Sequence, residues 1–155
     1  FPIGAVAGHE KVMDMFSASS GRAKVPHGGT FNANPVSMVA GMKAMEMLNK
    51  SNFKKLNLIG EKFREGINEV CELANIEGYA EGQFSIFGIK VFDKKLTDNT
   101  ERGMTYKSKG LHRYMLEHGY WLTPGLTGVC STVMDQSDID PFCETLLCGI
   151  KDILG

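Results

Sequence analysis

The 155-residue chain lacks any real excess of charge: 17 Lys and Arg stand against 18 Asp and Glu, a net charge of −1 with the histidines neutral. Polyanions and anionic membrane surfaces are drawn by a concentrated positive field, so neither nucleic acid nor a membrane is the expected partner. The four cysteines, Cys71, Cys130, Cys143 and Cys148, form no C-x-x-C pair and have no partnered histidine spacing. A zinc site and a redox motif are therefore not expected, and reduced thiols in a cytoplasmic setting are the simplest account. His9, His112 and His118 lie far apart and form no H-E-x-x-H, so no metal is expected. No apolar run approaches the roughly 20 residues that span a bilayer, and the start lacks the basic-then-apolar layout of a signal peptide. Internal repeats and low-complexity tracts are absent too. Opening at Phe1 without an initiator methionine, the sequence is expected to be a fragment, with a targeting segment ahead of it left open.

What is present is ordinary globular chemistry, 43% hydrophobic and 23% charged, and one run that stands out from it. His27-Gly28-Gly29-Thr30-Phe31-Asn32-Ala33-Asn34-Pro35 places two glycines and a hydroxyl directly before a helix start. Glycines let a backbone turn without a Cβ penalty and bring its N–H groups close to an anion, while Thr30 adds a hydroxyl donor. Asn34 is suited to cap the next helix, with Pro35 at its first position. The run has the size of a phosphate-binding turn, although a Gly-Gly-Thr turn is more often plain connection. His27 could contact such a ligand, but a loop histidine is more often structural or solvent-facing.

Val36 to Asn49 carries only Lys43 and Glu46 as charges, so it predicts a helix apolar nearly all round, suited to an interior or an interface. Its methionines read as soft core filler. A second helix begins at Lys50-Ser51-Asn52, with Leu56, Ile59, Phe63, Ile67, Val70 and Ala74 recurring every three or four residues on one face. A domain boundary is expected near Ser51, giving domains 1–50 and 51–155. Gly78 to Gly82 is expected to be a connector, Phe84 to Phe92 a strand with Phe87, Ile89 and Val91 on one face, and Asp93 to Gly103 a loop. Thr105 to His118 predicts a helix ending at Glu117 or His118 with Gly119 as its stop. Two short strands, Tyr120 to Thr123 and Gly128 to Val133, are expected around Pro124-Gly125. A final helix should be capped by Ser137, with Asp140 three residues on and Phe142, Leu146, Ile150 and Ile153 on its buried face.

Phe1-Pro2-Ile3-Gly4-Ala5-Val6-Ala7-Gly8, the run from His27 to Pro35 and the following Val36-Ser37-Met38-Val39-Ala40-Gly41 resemble, in order and spacing, the fold-type I, class III aminotransferases that use pyridoxal 5'-phosphate. Within them the pattern is most similar to the glutamate-1-semialdehyde 2,1-aminomutases. The resemblance runs from Phe1 to Asp138-Ile139-Asp140, and the P-I-G-A and G-G-T-F-N-A-N-P pair is its most specific part. It implies an α/β fold: the end of the large pyridoxal-phosphate-dependent transferase domain followed by the small C-terminal α/β domain. It also implies that Gly29 and Thr30 contact the cofactor phosphate across a homodimer interface, and that the substrate is a small amino acid or amine. The lysine that bonds the cofactor lies a few residues before P-I-G-A in that family, hence upstream of Phe1. No catalytic residue is then expected within the chain, which alone should be inactive, and Lys11 and Lys24 read as solvated surface lysines.

One departure bears on specificity. The aminomutase pattern places a glutamate a few residues after the Pro124 position, whereas Pro124-Gly125-Leu126-Thr127-Gly128-Val129-Cys130-Ser131 holds no carboxylate and is shorter by about two residues. Trp121 and Thr123 could line the same region, although core packing accounts for Trp121 equally well. A non-catalytic phosphate-ligand module, or a pyridoxal phosphate racemase or decarboxylase on the same fold, remain the competing expectations.

Overall fold

The structure is a computed structural model that describes residues 1–19, 21–92 and 106–154. Internal contacts divide the chain into two compact units, 1–49 and 50–155.

The first unit is built around two helical segments. A single turn, α1 (Glu10–Met13), runs into a short 3-10 helix, Asp14–Phe16, and the longer α2 (Pro35–Met47) follows the glycine run. Asn34 caps α2 as its chemistry predicts. Its Oδ1 accepts from the amides of Val36 at 3.0 Å and Ser37 at 3.2 Å, and Pro35 occupies the first turn, where its missing N–H costs nothing. The helix stops at Met47, two residues short of the expected Asn49. Gly41, which sits against Ile3, is its one buried residue, while Val36, Met38, Val39, Met42, Met45 and Met47 are all exposed.

Among the described residues, the second unit packs helices against a three-stranded antiparallel sheet. Its order is α3 (Lys50–Leu73), β1 (Gly78–Glu81), β2 (Ile86–Val91), α4 (Tyr106–Glu117), β3 (Thr127–Val129), a 3-10 turn at Gln136–Asp138 and α5 (Ile139–Leu154), with sheet order β1-β2-β3. The register pairs Ala80 with Ile89 and Phe87 with Gly128. The apolar stripe of α3 is buried as its spacing predicts, from Leu56 through Ile59, Phe63 and Ile67 to Val70. Phe63 stacks on Phe87 with centroids 4.7 Å apart, and Phe142 of α5 meets both rings edge-on, at 5.1 and 5.5 Å. Tyr120 adds a fourth ring, 5.3 Å from Phe142. Such geometry adds about 0.5 to 1.5 kcal/mol per pair beyond area burial.

Several boundaries differ from the sequence-based expectation. Gly78 to Gly82 is not a connector: residues 78–81 form β1, because their pairing with 88–91 is decided by a distant strand that local composition does not reveal. Phe84 falls outside β2, in a left-handed turn at φ 54° and exposed to solvent. Tyr120 to Thr123 is not a strand. The second expected strand shrinks to Thr127–Val129, since Leu126 at φ 60° and a Leu126 amide bonded to the Thr123 carbonyl at 2.8 Å turn the chain just before it. The cap of the last helical segment is Asp135 rather than Ser137: the Asp135 carboxylate accepts from the Ser137 amide at 2.8 Å, and Asp138 reaches back to the Asp135 amide at 2.9 Å. Helix α4 ends at Glu117, and Gly119 at φ 90° provides the stop; the Tyr120 amide bonds the Met115 carbonyl and the Gly119 amide that of Leu116. The expected loop from Asp93 to Gly103, and Thr105, lie outside the described residues.

Candidate functional site

The glycine run leads into α2 through a closed turn. The Asn32 amide donates to the Gly29 carbonyl at 3.0 Å and the Asn34 amide to the Phe31 carbonyl at 3.2 Å. These two bonds, with the cap below them, fix the course of the backbone from residue 29 to residue 37. The amides of Gly28, Gly29, Thr30 and Phe31 and the Thr30 hydroxyl donate to no partner among the described residues. Four neutral backbone donors and a hydroxyl, all exposed and next to the positive end of a helix dipole, are suited to an anion with several oxygens.

Sequence reasoning assigned the turn itself to the glycines, and the structure corrects that. Neither Gly28 nor Gly29 is among the residues with positive φ; the left-handed position is Ala33, at φ 56°. A Cβ on Gly28 would meet nothing within 4 Å, and one on Gly29 would lie 3.1 Å from Asn32 Oδ1. Gly28 therefore leaves open space beside the donors rather than bending the chain. No local signal marks Ala33, because alanine has no preference for that conformation.

The His27 ring packs edge-on against Phe16, with centroids 5.6 Å apart, in keeping with a structural role. Lys11 and Lys24 are exposed. An open apolar cavity of about 490 Å³ is lined by Phe1, Pro35, Val36, Val39, Ala40 and Lys43 at the start of α2.

In the second unit, the segment after α4 is held from two sides. His112 Nε2 donates to the Leu122 carbonyl at 3.1 Å, and Thr123 closes a turn on Thr127 through both its amide and its hydroxyl. Just before these anchors Trp121 is 89% exposed, which overturns core packing as its role. Cys71, Cys130 and Cys143 offer no nucleophile: burial pushes the thiols of Cys71 and Cys130 up, and that of Cys143 up to about 11, so all three stay neutral at pH 7. Among the described residues no group of three or more His, Cys, Asp or Glu could hold a metal ion, and no helix is long and apolar enough to cross a membrane.

Comparison with known proteins gives this geometry a context. Residues 1–131 match the family model of the class-III aminotransferases. The chain is 34% identical over 149 residues to the glutamate-1-semialdehyde 2,1-aminomutase of Methanosphaera stadtmanae, covering 90% of this chain and 33% of that protein. It is 32% identical over 156 residues to the aminomutase of the same name from Methanothrix thermoacetophila, covering 97% and 35%. A crystal structure of an omega-transaminase from Sphaerobacter thermophilus superposes with a TM-score of 0.80 at 33% identity, over 96% of this chain and 35% of that one. The chain spans about a third of the length of the relatives it matches.

Proposed function

The chain belongs to the class-III aminotransferase family, and from that premise we infer that it is part of an enzyme that moves an amino group between an amino acid or amine and a carbonyl. The family depends on pyridoxal phosphate. The observation that carries the reading for this chain is the set of unspent donors at Gly28–Phe31 and Thr30 Oγ1, whose number and neutrality suit the phosphate end of that cofactor. When bound, pyridoxal phosphate supplies an electron sink for bond changes at the amine-bearing carbon. The work of this chain is then to anchor: Gly29 through its amide and Thr30 through its amide and hydroxyl hold the phosphate, and the Asn34 cap keeps the turn that presents them in place.

In this reading residues 1–50 are the end of the large cofactor-binding domain and 51–155 the small C-terminal domain, with the cofactor-bearing lysine upstream of Phe1. A homodimer, in which Gly29 and Thr30 reach a phosphate held by the second copy, is part of the same proposal. The exposed apolar residues of α2 support it, since a helix with so little polar surface needs cover. A cytoplasmic location is supported by the four free thiols. The names carried by the relatives favour an aminomutase or an omega-transaminase, and the missing carboxylate after Pro124 weighs against carrying over the aminomutase specificity unchanged.

Thr30→Val tests the anchor at nearly constant volume. A hydrogen bond to a charged group contributes about 1.5 to 3 kcal/mol, so pyridoxal phosphate should bind the apo form of the whole protein roughly ten- to a hundredfold more weakly in the variant. A well-folded Thr30→Val with unchanged affinity would remove Thr30 from the site.

A further inference from the structure

Ala33 holds a conformation that alanine avoids, and it does so at the one place where the chain must pass from the donor-bearing turn into α2. Its φ of 56° is one of four positive values among the described non-glycine residues, and it occurs although two glycines stand only four and five positions earlier. A left-handed alanine persists only where its surroundings over-determine it. Here the surroundings are explicit. On one side the Asn32 amide is bonded to the Gly29 carbonyl and the Asn34 amide to the Phe31 carbonyl; on the other, Asn34 Oδ1 takes the amides of Val36 and Ser37 and Pro35 fixes the helix start. Ala33 itself is exposed, so its conformation answers no packing demand of its own side chain.

We propose that Ala33 is a positioning residue for the cofactor phosphate: its left-handed backbone sets the direction in which the Gly28–Phe31 amides and the Thr30 hydroxyl point, without touching the ligand. The inference rests on the phosphate-anchor reading of Thr30. If Ala33 reverted to negative φ, the bond from the Asn34 amide to the Phe31 carbonyl, which spans it, would be lost, and the donor-bearing turn would swing as a unit away from its present direction relative to α2 while the helix cap survived.

The test compares affinities of the apo whole protein for pyridoxal phosphate and for pyridoxal, whose ratio reads the phosphate contribution alone. Substitutions at 33 should rank by their tolerance of positive φ. Ala33→Gly and Ala33→Asn should keep the ratio within about threefold, whereas Ala33→Val, β-branched and averse to that region, should lower it about tenfold with pyridoxal affinity unchanged. Thr30→Val in parallel separates the two ideas. A ratio lowered by Thr30→Val but not by Ala33→Val overturns the role of Ala33 and leaves the anchor standing; a ratio lowered by neither overturns both. Equal loss of pyridoxal and pyridoxal phosphate affinity in Ala33→Val would mark a general loosening and likewise overturn the positioning role. Because residue 33 is exposed, thermal melts of the variants should confirm that all are folded before binding is compared.

Discussion

The two units of this chain solve the problem of apolar surface in opposite ways. In 50–155 the amphipathic α3 and α5 bury their stripes against each other and against β2, and Phe63, Phe87 and Phe142 form a closed aromatic cluster. In 1–49 the helix α2, apolar nearly all round, buries Gly41 and leaves its methionines and valines in solvent. A periodic helix can complete a core by itself with its neighbours in sequence. A helix that is apolar on all sides cannot, and depends on surfaces that a 49-residue unit does not supply.

The sharpest way to break this comparison is to separate the units. Expressed alone, 50–155 should retain its far-UV signal and unfold cooperatively in urea, while 1–49 should show no cooperative transition; a cooperative 1–49 would mean that its exposed apolar surface is not the liability described. A matched pair of truncations comes next. Phe142→Ala should cost about 3 to 5 kcal/mol in the stability of the 155-residue chain, as expected for a fully buried aromatic. Met42→Ala, in α2, should change it by less than about 0.5 kcal/mol because the side chain is exposed. In the whole protein the same Met42→Ala should cost about 2 kcal/mol or more if another surface covers α2, so chemical denaturation of both lengths measures the cover directly.

The smallest effects distinguish the two caps. Asn34→Ala should remove about 1 kcal/mol from α2, independent of pH, because an amide carries no titrating proton. The Asp135 cap behaves differently: the hydroxyl and amide of Ser137 hold its carboxyl below the ordinary value of 3.8. A folded-state pKa lower than the unfolded one contributes stability that is present above 3.8 and lost as the pH falls through the folded value. Acid titration of the chain should therefore show a component below pH 3.8 that vanishes in Asp135→Asn, with no counterpart in Asn34 variants.

How far the sequence could be read follows the same division between local and distant causes. Helices α2, α3 and α4, the buried Leu56, Ile59, Phe63, Ile67 and Val70 of α3 and Phe142, Leu146 and Ile150 of α5, and the Asn34 cap were legible, because each is decided within a few residues by periodicity or a side-chain bond; Ala74 and Ile153, expected on the same faces, are only half-buried. Strand β1 was not: Tyr79 and Ala80 carry no strand signal strong enough to outweigh Gly78 and Gly82, and their state is set by pairing with Lys90 and Ile89. The cap at Asp135 was misplaced by two residues because Ser137, an equally good cap residue, spends its hydroxyl on Asp135 Oδ1 at 2.6 Å instead. Trp121 could not be placed by hydrophobicity, which predicts burial for a ring that the turn at Thr123 leaves in solvent. At the candidate site the donors and the cap were legible in Gly28-Gly29-Thr30 and Asn34-Pro35, but the strained position was not, since nothing about an alanine between two asparagines announces a positive φ.

At Gly60 the backbone of α3 meets the carbonyl of Phe84 so closely that no side chain fits between them, and Arg64, one turn along, donates to that same carbonyl at 3.0 Å and to that of Ile86 at 2.8 Å. Main chain rests on main chain here, so the spacing is not adjustable by exchanging one core residue for another. The reversal between Glu81 and Ile86, although it lies at the surface, is thereby denied the usual freedom of surface loops to change length. A residue added there would have to lift the hairpin off the helix or shift β2 by one position, turning Phe87 and Ile89 outward. This short reversal should thus behave under insertion and deletion as an interior segment does.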